Sequence, residues 1–147
     1  MNLKTILVST DFSSCSESAL AMATALARDS GAKLLIVHVE EIPLATGSAE
    51  YLYSVPEPAT AELKKLLSEV KPKDPKVPYE HHLLAGDPAE AVIRMAESEN
   101  VDMIVIGSHG RTGLTRLLMG SVAEAIVRRA SCPVLTVKQA SKVPAAV

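Results

Sequence analysis

A chain of 147 residues with 48% hydrophobic and 22% charged side chains can keep a core without disulfides or metal, since at this size roughly 68–70% of the unfolded surface is buried. The net charge of -2 and an isoelectric point near 6.1 leave no global basic field for nucleic acid or an anionic membrane, so any anion site must be local. Cys15 and Cys132 stand far apart without C-x-x-C or metal-ligand spacing, which excludes a disulfide scaffold and fits a reducing compartment.

Residues 5–10 (Thr5, Ile6, Leu7, Val8, Ser9, Thr10) are short, β-branched and apolar, the pattern of a central strand covered on both faces. No charged segment followed by a long apolar run precedes them, and no run approaches eighteen apolar residues; a cytoplasmic protein without membrane contact is expected. Asp11 follows strand one directly. Ser14, Cys15, Ser16 and Glu17 read as a capping box opening a helix whose apolar face holds Ala19, Met22, Ala23 and Leu26 and which stops at Gly31.

Residues 33–39 form a second buried strand. From 40 to 58 the chain carries Pro43, Gly47, Pro56 and Pro58 around Tyr51 and Tyr53, a long loop placed to act as a flap. A helix over about 59–70 shows Leu63, Leu66, Leu67 and Val70 on one side, before Pro72 and Pro75. Strand three, 77–85, includes Pro78; proline cannot donate to a ladder, so this is an edge strand. Asp87, Pro88 and Glu90 mark the next helix start, with Val92, Met95 and Ala96 as its apolar face. Met103, Ile104, Val105 and Ile106 make strand four, ended by Gly107. Ser121, Val122, Ala123 and Glu124 read as another capping box, Arg128 and Arg129 close that helix, and residues 133–137 give strand five.

Strands alternating with helices imply an α/β fold: a single-domain, open, five-stranded parallel sheet of order 3-2-1-4-5 with helices on both faces, Rossmann-like in kind. The domain is expected over 1–140 and a flexible tail over 141–147. Order reverses between strands one and four, and ligands of open α/β sheets bind beyond the C-terminal ends of the strands at such a point. Asp11 and the Gly107 loop both emerge there.

The same loop carries Gly107, Gly110, Gly113 and Gly120, the last directly before the helix start at Ser121. A helix start offers unpaired N–H donors and partial positive charge, favouring an anion by roughly 0.3–1 kcal/mol. Glycines let those donors approach a phosphate. Neither G-x-x-x-x-G-K-S/T nor G-x-G-x-x-G occurs in the chain. Instead Gly107 and Gly110 enclose two residues, and nine more precede Gly120 and Ser121.

This G-x2-G-x9-G-S pattern, together with the aspartate after strand one, resembles the ATP-binding members of the universal stress protein family, whose fold is related to that of the adenine nucleotide alpha hydrolases. The resemblance runs from Asp11 through strand five. It implies that Gly107, Gly110, Gly120 and Ser121, with the Val122 amide, meet ribose and phosphates, that Asp11 lies near the nucleoside or a divalent ion, and that the Val39 backbone faces adenine. Thr10 and Ile106 would line the pocket, and Arg111 and His109 would reach the phosphates. Asp11 also fits a turn cap, and Arg111 and His109 also fit solvated loop positions. The ligand implied is ATP or AMP, with Mg2+ arriving on the nucleotide. No protein metal site is expected, because His38, His81 and His82 form no ligand set with the cysteines. The resemblance also implies a homodimer through Pro133, Val134, Leu135, Thr136 and Val137; the charge balance, for its part, leaves no nucleic acid as an expected partner.

Three functions fit these residues. A nucleotide-binding sensor of stress comes first. A slow ATP-hydrolysing enzyme is second, held back by the absence of a Walker lysine and by Ser9, Thr10, Asp11, Phe12 and Ser13 standing where ATP pyrophosphatases carry S-G-G-x-D-S. A nucleotide-independent dimeric adaptor is third. Cys15, in a helix's first turn, fits a redox sensor less well than a buried inert thiol.

Overall fold

A computed structural model describes residues 2–41, 57–109 and 119–139. The strands are β1 (Thr5–Ser9), β2 (Lys33–Glu40), β3 (Tyr79–Ala85), β4 (Met103–Gly107) and β5 (Val134–Val137); the helices are α1 (Ser14–Ser30), α2 (Glu57–Ser68), α3 (Pro88–Ser98) and α4 (Ser121–Arg129). All strand pairs are parallel. The order β3-β2-β1-β4-β5 is the one expected from the pattern.

Alternation along the strands divides the core in two. Leu7, Leu35, Val37, Ile104 and Ile106 face one side, against Val92 and Met95 of α3 and Ala123 and Ile126 of α4. Ile6, Val8, Leu34, Ile36 and Val105 face the other, against Ala19, Ala23 and Ala27 of α1 and Leu67 of α2. Because the residues of α1 against the sheet are alanines, that helix can lie close to the strands. Met22 is not among them: it is 44% exposed, so the apolar face is rotated away from the expected one toward the small side chains. Leu66 is likewise exposed while Leu67 is buried.

Chain ends of the elements follow local chemistry, with the start of α1 shifted by one residue and that of β3 by two. Asp87 caps α3 by accepting the Glu90 N–H, with Pro88 in the first helical turn, as its sequence requires. The cap of α1 is Ser13, accepting the Ser16 N–H at 3.2 Å; the box at Ser14 is displaced by one. Gly31 ends α1 at φ 77, donating to the Ala27 carbonyl at 2.8 Å, a conformation that costs a residue with a Cβ. Pro78 sits just outside β3, its carbonyl accepting the Leu34 N–H at 2.9 Å. Both β3 and β5 are sheet edges.

The expected flap (40–58) falls mostly, and the tail (141–147) entirely, outside the described residues.

One polar clasp ties the start of β1 to the entry of β4. Asp102 Oδ2 accepts the Lys4 N–H at 2.9 Å and the Thr5 N–H at 3.0 Å. These two backbone donors, Lys4 first, hold the Asp102 carboxyl below the usual carboxylate range. A depressed folded pKa contributes stability above the unfolded value of about 3.9, and that contribution is lost as pH falls through the folded value. Asp102→Ala should therefore lower stability by about 1 kcal/mol at pH 7, with the gap to wild type narrowing below about pH 4. Urea unfolding at pH 7 and pH 3 reads both.

Candidate functional site

The C-terminal ends of β1 and β4 diverge at the reversal of strand order, and three stretches of chain meet there: Thr10 to Ser13, Gly107 to His109, and Gly120 to Ala123. Each was marked in the sequence by a residue before a helix or after a strand. The structure adds what those residues already do within the protein.

Thr10 is buried and fully used by its neighbours. Its N–H donates to the Val37 carbonyl at 2.8 Å, its hydroxyl lies 3.1 Å from Ser16 Oγ and accepts the Phe12 N–H at 3.1 Å, and its carbonyl receives His38 Nδ1 at 2.7 Å. Thr10 thus shapes the crevice wall rather than offering its hydroxyl. Asp11 Oδ1 accepts the Ser13 N–H at 3.0 Å, so the turn-capping role is realised on that oxygen. Among the described residues Oδ2 has no partner, and it remains available to a hydroxyl or a cation. Phe12 then takes φ 66, costing of order 1–3 kcal/mol for a bulky residue, with its ring 4.4 Å from the His38 ring.

The direction of each β2 peptide follows from the register. Val37 faces β1, and Glu40 faces β3, its carbonyl receiving the Gly86 N–H at 3.0 Å. Alternation turns the Val39 N–H and C=O toward β1, beyond the last rung to that strand. Among the described residues neither group has a partner. The Val39 and Ile106 side chains are buried in the core under α3 and α4, so both support the crevice floor through packing.

Gly107 has a reason of its own to be glycine. A Cβ there would lie 2.9 Å from Cys15 Sγ, 3.1 Å from the Cys15 carbonyl carbon and 3.2 Å from its oxygen. The glycine lets the first turn of α1 pack against the end of β4, a contact the sequence motif does not reveal. Ser108, buried and unremarked in the sequence, donates its N–H to the Val137 carbonyl at 2.9 Å, and its carbonyl accepts the Gly120 N–H at 2.7 Å. Ser108 therefore joins β5, β4 and the start of α4. His109 Nδ1 lies 3.0 Å from Ser108 Oγ, and Nε2 is buried without a partner among the described residues. Gly110 and Arg111, also candidates, lie outside the described residues.

The start of α4 departs from the expected capping box. Gly120, not Ser121, is the cap, at φ -61 and ψ 153, and among the described residues no side-chain cap bonds the first turn. Ser121 is the first helical residue and, with Val122, is exposed. The Glu124 N–H goes to the Gly120 carbonyl at 2.9 Å, while its carboxylate turns along the helix to Arg128 at 2.6 Å. Glycine has no oxygen with which to cap, so the amides of Ser121, Val122 and Ala123 lack the side-chain acceptor that Ser13 and Asp87 supply to α1 and α3. This arrangement presents donors and the positive end of the helix dipole to the crevice, the chemistry that receives an anion. An open groove of about 640 Å3 lies against α3 at the end of β3, two strands away, and shares no residue with it.

Comparison with known proteins decides the family. A model of the universal stress protein family matches residues 2–138. The chain belongs to the universal stress protein family. Universal stress protein A homolog 1 of Coxiella burnetii is 39% identical over 145 residues, spanning 93% of this chain and 97% of the relative. Among solved structures, a universal stress protein in complex with cAMP is 26% identical with a TM-score of 0.71, covering 95% of this chain and 99% of its own. The universal stress protein from Archaeoglobus fulgidus in complex with dAMP is 25% identical with a TM-score of 0.62, covering 94% and 100%.

Of the two cysteines in this universal stress protein chain, Cys15 is buried, with Sγ 3.4 Å from the Val137 carbonyl, and burial pushes the Cys132 thiol up, away from thiolate chemistry. Among the described residues no group of three or more His, Cys, Asp or Glu side chains is arranged to hold a metal ion, and no helix is long and apolar enough to cross a membrane.

The Gly107 contact makes a test of structure separate from any ligand. Gly107→Ala should destabilise the protein by about 1–3 kcal/mol through overpacking, read as a lower urea midpoint. Adding Cys15→Ala should recover only part of it, because the backbone of residue 15 stays in the way.

Proposed function

We propose that this universal stress protein binds an adenine nucleotide across the ends of β1 and β4 and serves as a nucleotide-responsive regulatory module in the cytoplasm during stress. The observation that carries the reading is the uncapped start of α4 at the point where the strand order reverses. Phosphates would lie on the Ser121 and Val122 amides and the Ser121 hydroxyl, beside Gly120, with Gly107 and Gly110 near ribose and phosphates. His109 Nε2, and Arg111 through its planar fork, would complete the phosphate contacts. Asp11 Oδ2 would meet the ribose or a Mg2+ ion brought by the nucleotide. Val39 would read the base through its peptide groups, over a wall built by Thr10 and Ile106. Relatives in complex with cAMP and dAMP support an adenine nucleotide as the ligand class; ATP and AMP are the forms proposed here.

Calorimetric titration with Mg-ATP and with AMP tests the reading, followed by analysis of the mixture for ADP and AMP. Saturable binding is expected. Product formation would add slow hydrolysis to it, and no heat up to millimolar nucleotide, on protein free of copurified ligand, would replace it with the adaptor reading. Gly120→Asp should leave the fold intact, because its carboxylate can cap α4 itself, and should abolish binding by occupying the donors with like charge. Unchanged affinity in that variant would remove the cradle.

The proposal extends to a homodimer through the open edge of β5, spanning Pro133 to Val137. The Ile104 N–H reaches the Pro133 carbonyl and the Ser108 N–H the Val137 carbonyl, so alternation turns the peptide groups of Val134 and Thr136 outward. An exposed edge of this kind pairs unless protected, and the same edge on two copies makes an isologous interface. Light scattering at micromolar concentration should give twice the chain mass. Thr136→Pro, which removes an outward donor, should return the monomer mass with an unchanged circular dichroism spectrum.

A further inference from the structure

We infer that His38 is a positioning residue: by occupying the Thr10 carbonyl it ends the β1–β2 ladder one rung early and so frees the Val39 peptide to read a base. In a parallel pair the rung after Thr10 N–H to Val37 carbonyl would run from the Val39 N–H to the Thr10 carbonyl. Among the described residues that rung is missing, and His38 Nδ1 lies on the Thr10 oxygen at 2.7 Å instead. A carbonyl only accepts, so Nδ1 carries the proton and the tautomer is fixed. Phe12, at φ 66, turns the chain away from β2 beyond this point and packs its ring on the imidazole at 4.4 Å, holding the donor in place.

The consequence is chemical. A residue whose N–H and C=O both open toward a crevice offers one donor and one acceptor side by side. Adenine presents the complement, an exocyclic amino donor beside a ring nitrogen acceptor. Hypoxanthine presents the reverse, a carbonyl acceptor beside a ring N–H. His38 therefore sets discrimination between 6-amino and 6-oxo purines, without touching the ligand. The base-reading step rests on the nucleotide reading given above; the ladder step does not.

Two measurements separate them. Amide hydrogen exchange by NMR on nucleotide-free protein should find Val39 unprotected in wild type, beside a protected Val37. In His38→Leu, of similar bulk but no donor, the freed Thr10 carbonyl should capture the Val39 N–H, and its exchange should slow at least tenfold. His38→Asn, which keeps a donor at the δ position, should restore fast exchange. Calorimetry with ATP and ITP should then show a preference for ATP of about tenfold or more in wild type, collapsed in His38→Leu and recovered in His38→Asn. Protection of Val39 in wild type, or identical exchange in all three proteins, overturns the inference whether or not a nucleotide binds. Normal exchange behaviour with no binding of either nucleotide removes the nucleotide reading and leaves the ladder step standing; an ATP preference unchanged in His38→Leu overturns the base-reading step.

Discussion

Burying aliphatic strands on both faces is the constraint from which the rest follows. Ile6, Leu7 and Val8 of β1 and Ile104 and Val105 of β4 are each fully enclosed, which requires helices above and below the sheet and therefore crossover connections. Right-handed crossovers that first run outward from β1 and then return to its other side leave two neighbouring strands whose following segments part in opposite directions. The crevice is the geometric remainder of that packing. Its floor is core, through Val39 and Ile106, and its rim is made of turn residues that have no core to enter.

Rim residues do double duty, and the balance differs from residue to residue. Thr10 and Ser108 spend their polar groups inside the protein, tying β1 to β2 and α1, and β4 to β5 and α4. Among the described residues, Asp11, His109 and the first turn of α4 keep groups without a partner. That division separates a scaffold layer from a layer with open polar groups at the same strand ends, the one to which the proposed nucleotide is assigned. A substitution in the first layer acts on the second by moving it, while a substitution in the second leaves the fold nearly untouched.

The fold was legible because the physics behind it is local and repeated: β-branched runs of buried length, Pro78 marking strand three as an edge, Asp87 and Pro88 opening α3. Within the site, the glycines and Asp11 stood out by type and spacing. What the pattern misassigned were features decided by a single residue of register. The box at Ser121 has the right letters, yet the chain enters α4 at Gly120, because the Gly120 N–H is drawn to the Ser108 carbonyl and Glu124 finds Arg128 one turn on. His38 was hidden for another reason. A histidine inside an apolar strand carries no motif, and its importance comes from Thr10, 28 residues away in sequence. Gly107 was assigned to ligand approach, and the structure gives it a packing duty toward Cys15 as well.

That contact between Gly107 and Cys15 has a kinetic side. Cys15 is 3% exposed, its thiol wedged between the first turn of α1 and the end of β4, where not even a methyl group on Gly107 fits. A maleimide or iodoacetamide adduct is far larger than a methyl. Cys15 can therefore be modified only while α1 stands away from β4, and its labelling rate is a built-in clock for opening of the crevice wall. A nucleotide bound across the two sides of the crevice, as proposed, would slow that clock, which would make Cys15 an occupancy reporter at a position where no label need be introduced.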